Sequence, residues 1–294
     1  MESLFTFLFE PFEYQYMQHA MVAATLVGAA CALLSCYLML KGWSLIGDAL
    51  SHSVVPGVAA AYALGLPLAL GAFFSGFLAA LSIAALKAFS HLREDAIIGF
   101  IFTTFFAAGL LLISLNPTSV NVQTIILGNI LAVSASDQWQ IVIICLTTIA
   151  LIALKWRTLM LVFFDEPQAS AVGINVNAVK IGFFTLLSAC TVASLQTVGA
   201  ILVIAMVITP GATAYLLTDR FERLLVIASA IGALSGLLGV YFSYFFDATT
   251  GAVIVVLQTV SFILAFLFSP KHGIVTAKLN RSSAIKLEEK PCKL

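Results

Sequence analysis

Long apolar runs fill most of this chain and constrain its fold more than any other feature. The hydrocarbon core of a bilayer is about 30 Å thick, so a spanning helix needs roughly 17–25 residues. Only 10% of the 294 residues are charged, against about 25% in soluble domains. The sequence therefore predicts an all-α, polytopic membrane helix bundle with eight or nine spans. The apolar runs cover residues 17–40, 49–65, 68–86, 96–115, 139–154, 181–195, 198–218, 224–245 and 251–268.

Two of these runs are shorter than a bilayer normally requires. They cover residues 139–154 and 181–195, and polar or charged residues flank both of them. A segment of this length can enter the membrane without crossing it, or it can continue into a neighbouring helix. We therefore expect one of the two runs to be re-entrant or to merge with its neighbour.

The positions of the basic residues predict an orientation for the bundle. Lys and Arg are enriched in the cytoplasmic loops of membrane proteins. With nine spans and an external N-terminus, all 14 Lys and Arg residues fall on the cytoplasmic side. We thus predict three regions: an external N-terminal segment (1–16), a transmembrane domain (17–270) and a basic cytoplasmic tail (271–294). The predicted cytoplasmic loops are 41–48, 87–95, 155–180 and 219–223.

One ionisable pair stands at the start of the second apolar run. Asp48 and His52 are four residues apart, which places both side chains on one face of a helix. A carboxylate and an imidazole are suitable ligands for manganese, iron or zinc. The pair also has a structural explanation, in which Asp48 caps a helix or pairs with Lys41 and His52 is packed in the bundle. Spacing alone favours neither explanation.

Two apolar runs contain a proline next to a glycine. Pro56 and Gly57 follow the ionisable pair, and Thr209 and Pro210 lie in the run 198–218. Proline removes a backbone donor and kinks or breaks a helix, which frees carbonyl groups inside the bundle. These positions can serve as hinges or line a pathway, and they can equally serve tight helix packing.

The longest predicted cytoplasmic loop contains the signals of a short helix. Asp165 is a suitable N-cap, Glu166 and Pro167 suit the first turn, and Gly173 can end the helix. A short exposed helix with apolar flanks can dock a partner protein. It can also be an ordinary interfacial helix, and the pattern alone does not separate the two.

Several signatures of other functions are missing from the sequence. The chain has no GxxxxGK[ST] phosphate-binding loop, no HExxH and no GxSxG. The apolar runs hold too few charges for the proton relays of many secondary transporters. The five cysteines form no CxxC pair, so we predict neither a disulfide framework nor a thiolate metal site. We expect no catalytic or cofactor-binding residues, and no interaction with nucleic acid.

Five segments together make the chain resemble a known family, the ABC-3 permeases, which are membrane subunits of ATP-driven importers of manganese, zinc and iron. The resemblance runs from about Pro11 to Gly273. Within the family, the first segment and the ending SPKHG (269–273) resemble the SitC/YfeC-type iron/manganese permeases of Gram-negative bacteria. The segments are LKGWSLIGDALSHSVVPGVA (40–59), EDAIIGFIF (94–102), VNVQTIILGNIL (120–131), FFDEPQASAVGI (163–174) and QTVGAILVIAMVITPGATAYLLTDR (196–220).

The resemblance implies roles for individual residues. The family's GDALSH motif lines the metal pathway, which implicates Asp48 and His52. The loop that matches FDExxAxxxG docks the ATPase, which implicates four residues, with Pro167 as a local departure from the pattern. These docking residues are Asp165, Glu166, Ala169 and Gly173.

The resemblance also implies a cargo, a mechanism and partners. The cargo is iron(II) or manganese(II), with zinc as an alternative, and no cofactor is permanently bound. The mechanism is alternating access across the bacterial inner membrane. The implied partners are a cytoplasmic ATP-binding subunit, a periplasmic metal-binding protein, and a second permease that is either another copy or a similar paralogue. The competing hypothesis is a secondary transporter driven by an ion gradient.

Overall fold

The computed structural model describes residues 9–43, 45–90, 92–115 and 135–269. Within these ranges the regular structure is helical, which confirms the predicted all-α class. The predicted tail (271–294), the first half of the external segment (1–16) and the segment 120–131 lie outside the described residues. After a 3-10 turn at Glu10–Phe12, the helices are α1 Gln15–Lys41, α2 Ile46–Ser53, α3 Val55–Leu64, α4 Leu68–Phe89, α5 Glu94–Leu115, α6 Ala135–Phe164, α7 Glu166–Ala171, α8 Val176–Val198, α9 Ala200–Leu217, α10 Phe221–Phe246 and α11 Thr250–Phe268.

Seven of the described helices are long and apolar enough to cross a membrane, so the protein is a multi-pass membrane protein. They are α1, α4, α5, α6, α8, α10 and α11. The apolar part of α9 is shorter (Val203–Leu217), and the run 49–65 is divided between α2, of 8 residues, and α3, of 10 residues. The total of eight or nine spans and the orientation of the termini therefore remain predictions.

The two short apolar runs belong to long helices, contrary to our expectation. Residues 139–154 lie within α6, which continues through Lys155 and Arg157 to Phe164. Lys and Arg are good helix formers, so their charge ends the apolar run without ending the helix. Residues 181–195 lie within α8, which begins five residues earlier because the Asn175 side chain accepts a hydrogen bond from the Ala178 N–H. Neither run is a separate re-entrant element.

Helix α1 forms the centre of the bundle and packs most closely against α10. In its most apolar 18-residue window, 78% of the residues are buried. A Cβ atom on Gly28 would collide with the carbonyl group of Gly232, and one on Gly236 would collide with that of Ala24. The two backbones are thus in direct contact, as is typical of membrane helices that meet at small residues.

In both proline-containing runs, a serine from a neighbouring helix bonds to the backbone near the proline. At the junction of α2 and α3, Ser75 of α4 donates a 2.6 Å hydrogen bond to the Ser53 carbonyl. In α9, Ser35 of α1 donates to the Ile208 carbonyl (3.0 Å) and accepts from the Gly211 N–H (3.1 Å). A free backbone group is costly in hydrocarbon, so these hydroxyls stabilise the backbone at these two places. We call these contacts of Ser75 and Ser35 the serine clasps.

Loss of the clasp on α9 should weaken the fold measurably. We predict that Ser35→Ala lowers the free energy of unfolding by about 0.6–1.7 kcal/mol, from the average to the maximum measured for hydrogen bonds between membrane helices. Unfolding in mixed detergent micelles measures this change. Ser261→Ala is the matched control, because Ser261 donates only to the Leu257 carbonyl of its own helix (2.8 Å). Equal stability of the two variants would contradict the clasp.

Candidate functional site

Asp48 and His52 lie together on one face of α2. Their closest polar atoms, Asp48 Oδ1 and His52 Nε2, are 3.4 Å apart. The side chains are partly accessible, 39% for Asp48 and 24% for His52, while Ala49 and Leu50 of the same helix point into the core. The burial of the opposite face of α2 therefore leaves the carboxylate and the imidazole side by side on a partly accessible face.

The structural explanation of the pair loses two of its supports. The N-cap residue of α2 is Leu45, and no side chain makes a capping hydrogen bond there, so Asp48 is not the cap. Lys41, the suggested ion-pair partner of Asp48, lies instead 2.8 Å from Glu166. The third part of that explanation is a histidine packed in the bundle. It holds in part, because His52 contacts two aromatic rings.

These two rings belong to α5 and were not identified from the sequence. Phe102 and Phe106 each make an edge-to-face contact with the His52 ring. Their ring centroids lie 5.2 and 5.4 Å from that of His52, and the interplanar angles are 64° and 77°. The two phenylalanines are four residues apart and therefore share a helix face. This four-residue spacing is the sequence signal that could have identified the two phenylalanines, but it is equally typical of residues that only pack against a neighbouring helix. The contacts restrict the orientation of the imidazole.

The pair alone provides too few ligands for a bound metal ion. Within the described ranges, no group of three or more His, Cys, Asp or Glu side chains could hold a metal. Tetrahedral sites need four ligands, and octahedral sites need six. Backbone carbonyls, water or a second protein chain must therefore supply the other ligands of any ion that binds here.

The predicted pathway and hinge residues lie beside α2. Pro56 is in the first turn of α3, and a Cβ atom on Gly57 would collide with the carbonyl of Gly71 on α4. Gly47 of α2 packs against Val207 of α9, close to Thr209 and to Pro210, which lies inside that helix. Gly57 thus serves close helix packing, and the proline-containing part of α9 adjoins the helix that carries the ionisable pair.

The loop between α6 and α8 contains the short helix α7 that its sequence suggested. The Asp165 side chain accepts a 3.0 Å hydrogen bond from the Gln168 N–H, and Glu166 begins the helix. Ala169 is fully buried. Gly173 follows the C-cap with φ = +85°, a conformation that glycine adopts without strain. Asp165, Ala169 and Gly173 therefore fix the shape of α7.

Glu166 attaches α7 to the helix bundle. Its two carboxylate oxygens lie 2.8 Å from Lys41 Nζ of α1 and 2.6 Å from Lys180 Nζ of α8. Although partial burial acts in the opposite direction, hydrogen bonds and charges from Lys180 and Lys41 lower the pKa of Glu166 below its usual value. The Glu166 carboxylate thus holds α7 against α1 and α8, and its role in docking remains a prediction.

Two large apolar side chains of this loop face outward. Phe164, immediately before α7, is 77% exposed, and Val172, immediately after it, is 63% exposed. Sequence reasoning noted apolar flanks but did not single out either residue, because Phe163 and Phe164 cannot be ranked by pattern. The structure separates them, since Phe163 is buried. An exposed phenylalanine beside a rigidly attached helix suits a protein contact.

Comparisons with known proteins agree over nearly the whole chain. Residues 13–269 match the ABC 3 transport family. The chain is 62% identical over 271 residues, 92% of each chain, to "Chelated iron transport system membrane protein YfeC" of Yersinia pestis. It is 43% identical over 282 residues, 96% of this chain and 92% of the relative, to "Manganese transport system membrane protein MntB" of Synechocystis.

One solved structure shares both the fold and a substantial part of the sequence. PsaBC from Streptococcus pneumoniae, solved in complex with a Fab, has a chain that superimposes on this one with a TM-score of 0.82. The superposition covers 95% of this chain and all of the other, at 34% sequence identity.

Proposed function

The chain belongs to the ABC 3 transport family, and from this premise we propose that it is the permease subunit of an ATP-driven importer of iron(II) and manganese(II). The observation that carries the proposal is the Asp48–His52 pair on an accessible face of α2. The relatives' names support the cargo, since one is an iron transport protein and another a manganese transport protein.

We assign the Asp48 carboxylate and the His52 imidazole to transient binding of the ion during transport. An oxygen and a nitrogen ligand suit both manganese and iron, and zinc shares this preference. A second permease, either another copy of the chain or a similar paralogue, would bring a matching pair across a two-fold axis. Two pairs would provide four ligands, which a tetrahedral site needs, and water or backbone carbonyls would complete an octahedral site.

We assign the energy source to a separate cytoplasmic ATP-binding subunit. The sequence has no phosphate-binding loop of its own, which supports a division of labour between subunits. Helix α7 and the exposed Phe164 form the proposed docking surface. With this surface in the cytoplasm, the N-terminus is external, and the nine passes include α9 and the α2–α3 unit. A periplasmic metal-binding protein delivers the ion to the permease, which moves it across the inner membrane.

Uptake in a reconstituted system tests the proposal. The permease, its ATP-binding subunit and its metal-binding protein are placed in liposomes, and radioactive manganese or iron is added outside. We expect uptake that requires ATP and is inhibited by vanadate, with manganese and iron preferred over zinc. Uptake driven by a proton or sodium gradient in the absence of ATP would instead identify a secondary transporter.

A further inference from the structure

Trp43 lies in the short linker between α1 and α2, five residues before Asp48. It is only 5% exposed. Its ring stacks on Phe184 of α8, with centroids 5.7 Å apart and planes inclined by 15°. It also meets Phe163 of α6 edge-on at 5.8 Å. The tryptophan is therefore packed against the two helices that flank α7.

A polar contact joins the same side chain to a different part of the bundle. The indole N–H of Trp43 donates a hydrogen bond to the carboxylate of Glu94, the first residue of α5. Glu94 also pairs with Lys87 of α4, and the Lys87 ammonium lies 4.8 Å from the centre of the Trp43 ring. Trp43 thus connects α4 and α5 with α6 and α8.

Each end of this connection leads to a site described above. On one side, Phe163 immediately precedes the exposed Phe164, and Lys41, two residues before Trp43, holds Glu166 of α7. On the other side, α5 runs from Glu94 to the two phenylalanines that contact His52. The linker itself continues directly into the helix of Asp48.

The contacts of Trp43 border an open space. A cavity of about 530 Å³ is lined by Trp43, Glu94, Lys87, Glu166, Lys180 and Phe184. Packed protein interiors have few voids larger than a water molecule. Across this cavity, Trp43 connects Glu94 of α5 with Phe184 of α8.

We propose that Trp43 is a positioning residue that transmits displacement of helix α7 to the Asp48–His52 pair. This proposal rests on the function proposed above. Displacement of α7 shifts α6 and α8 against the Trp43 ring, and the Trp43–Glu94 hydrogen bond makes α5 follow. Since α5 contacts His52 and the linker leads to Asp48, the geometry of both metal ligands changes together.

The test compares Trp43→Phe with Trp139→Phe in the reconstituted complex with its ATPase and metal-binding protein. The phenylalanine keeps an aromatic ring at position 43 but cannot donate to Glu94. Trp139 is 69% exposed at the start of α6, far along that helix from Phe163, and is the matched control. We expect Trp43→Phe to import at least roughly fivefold fewer ions per ATP hydrolysed, the lower limit of typical coupling between sites.

Two further measurements separate transmission from simple packing. Glu94→Ala should reproduce the loss, and the double variant should lose no more than Glu94→Ala alone, because that variant already lacks the Trp43–Glu94 hydrogen bond. A parallel fall in uptake and ATP hydrolysis, with an unchanged ratio, would overturn the proposal, as would an unchanged ratio at normal activity. If the unmodified complex imports no metal, the proposed function itself fails, which is a different result.

Discussion

Asp48→Asn and His52→Ala should each abolish metal uptake by the reconstituted importer. Asparagine keeps the size of Asp48 but loses the charge that attracts a divalent cation, and alanine removes the only imidazole beside it on α2. Loss of an outer-shell partner of a metal ligand already costs about 10–100-fold in affinity or activity. We therefore expect loss of a direct ligand to reduce the uptake rate by about 100-fold or more.

The measurement needs a proof that the variants remain assembled. Co-purification of the ATP-binding subunit and the basal rate of ATP hydrolysis provide it, and both should be unchanged. Asp95→Asn is the matched control, because Asp95 is an exposed carboxylate at the start of α5. If either variant of the pair transports metal at the normal rate, the pair is not the site.

Glu166→Gln should uncouple transport from ATP hydrolysis. The substitution removes the charge that holds both Lys41 and Lys180, so α7 loses its attachment to α1 and α8. Because the ion pairs are partly accessible to solvent, they are worth less than fully buried ones. We nevertheless expect a fall of about tenfold in uptake, since a loosely held docking helix transmits displacement poorly.

The controls for this prediction use charge and pH. Glu222→Gln alters an exposed carboxylate at the start of α10 and should have no effect. In the double variant Glu166→Lys/Lys180→Glu, the exchanged pair should partly restore coupling.

The ion pairs are fully formed above the ordinary glutamate pKa of 4.5 and are lost as the pH falls through the lower folded-state value of the Glu166 pKa. The attachment of α7 should thus be insensitive to small pH changes near neutral pH, and normal coupling in Glu166→Gln would reject the attachment.

Local features of the structure were predictable from the sequence because local rules decide them. The all-α class follows from the apolar runs, and the proximity of Asp48 and His52 follows from helix periodicity. The capping of α7 by Asp165 and the turn at Gly173 follow from side-chain chemistry and backbone freedom. The assignment of the pair to a metal came from family resemblance, because spacing alone left a structural explanation open.

Features that depend on contacts between distant segments could not be predicted. Glu166 has partners 125 and 14 residues away, and nothing in the loop indicates that its carboxylate points inward. Trp43 meets Glu94 across 51 residues. The full length of α6 was also missed, because an apolar run records where a helix is buried in lipid and not where its hydrogen bonds end.

The two serine clasps differ in how far apart their partners lie along the chain, and therefore in when both partners have been synthesised. The clasp of the α2–α3 junction joins residues 22 apart, from adjacent segments, so a single helical hairpin contains both partners as it enters the membrane. The clasp of α9 joins residues 173 apart. Helix α1 is therefore already synthesised when α9 emerges from the ribosome, and the Ser35 hydroxyl is available to receive it. The late helix thus depends on a much earlier segment for the hydrogen bonds beside its proline.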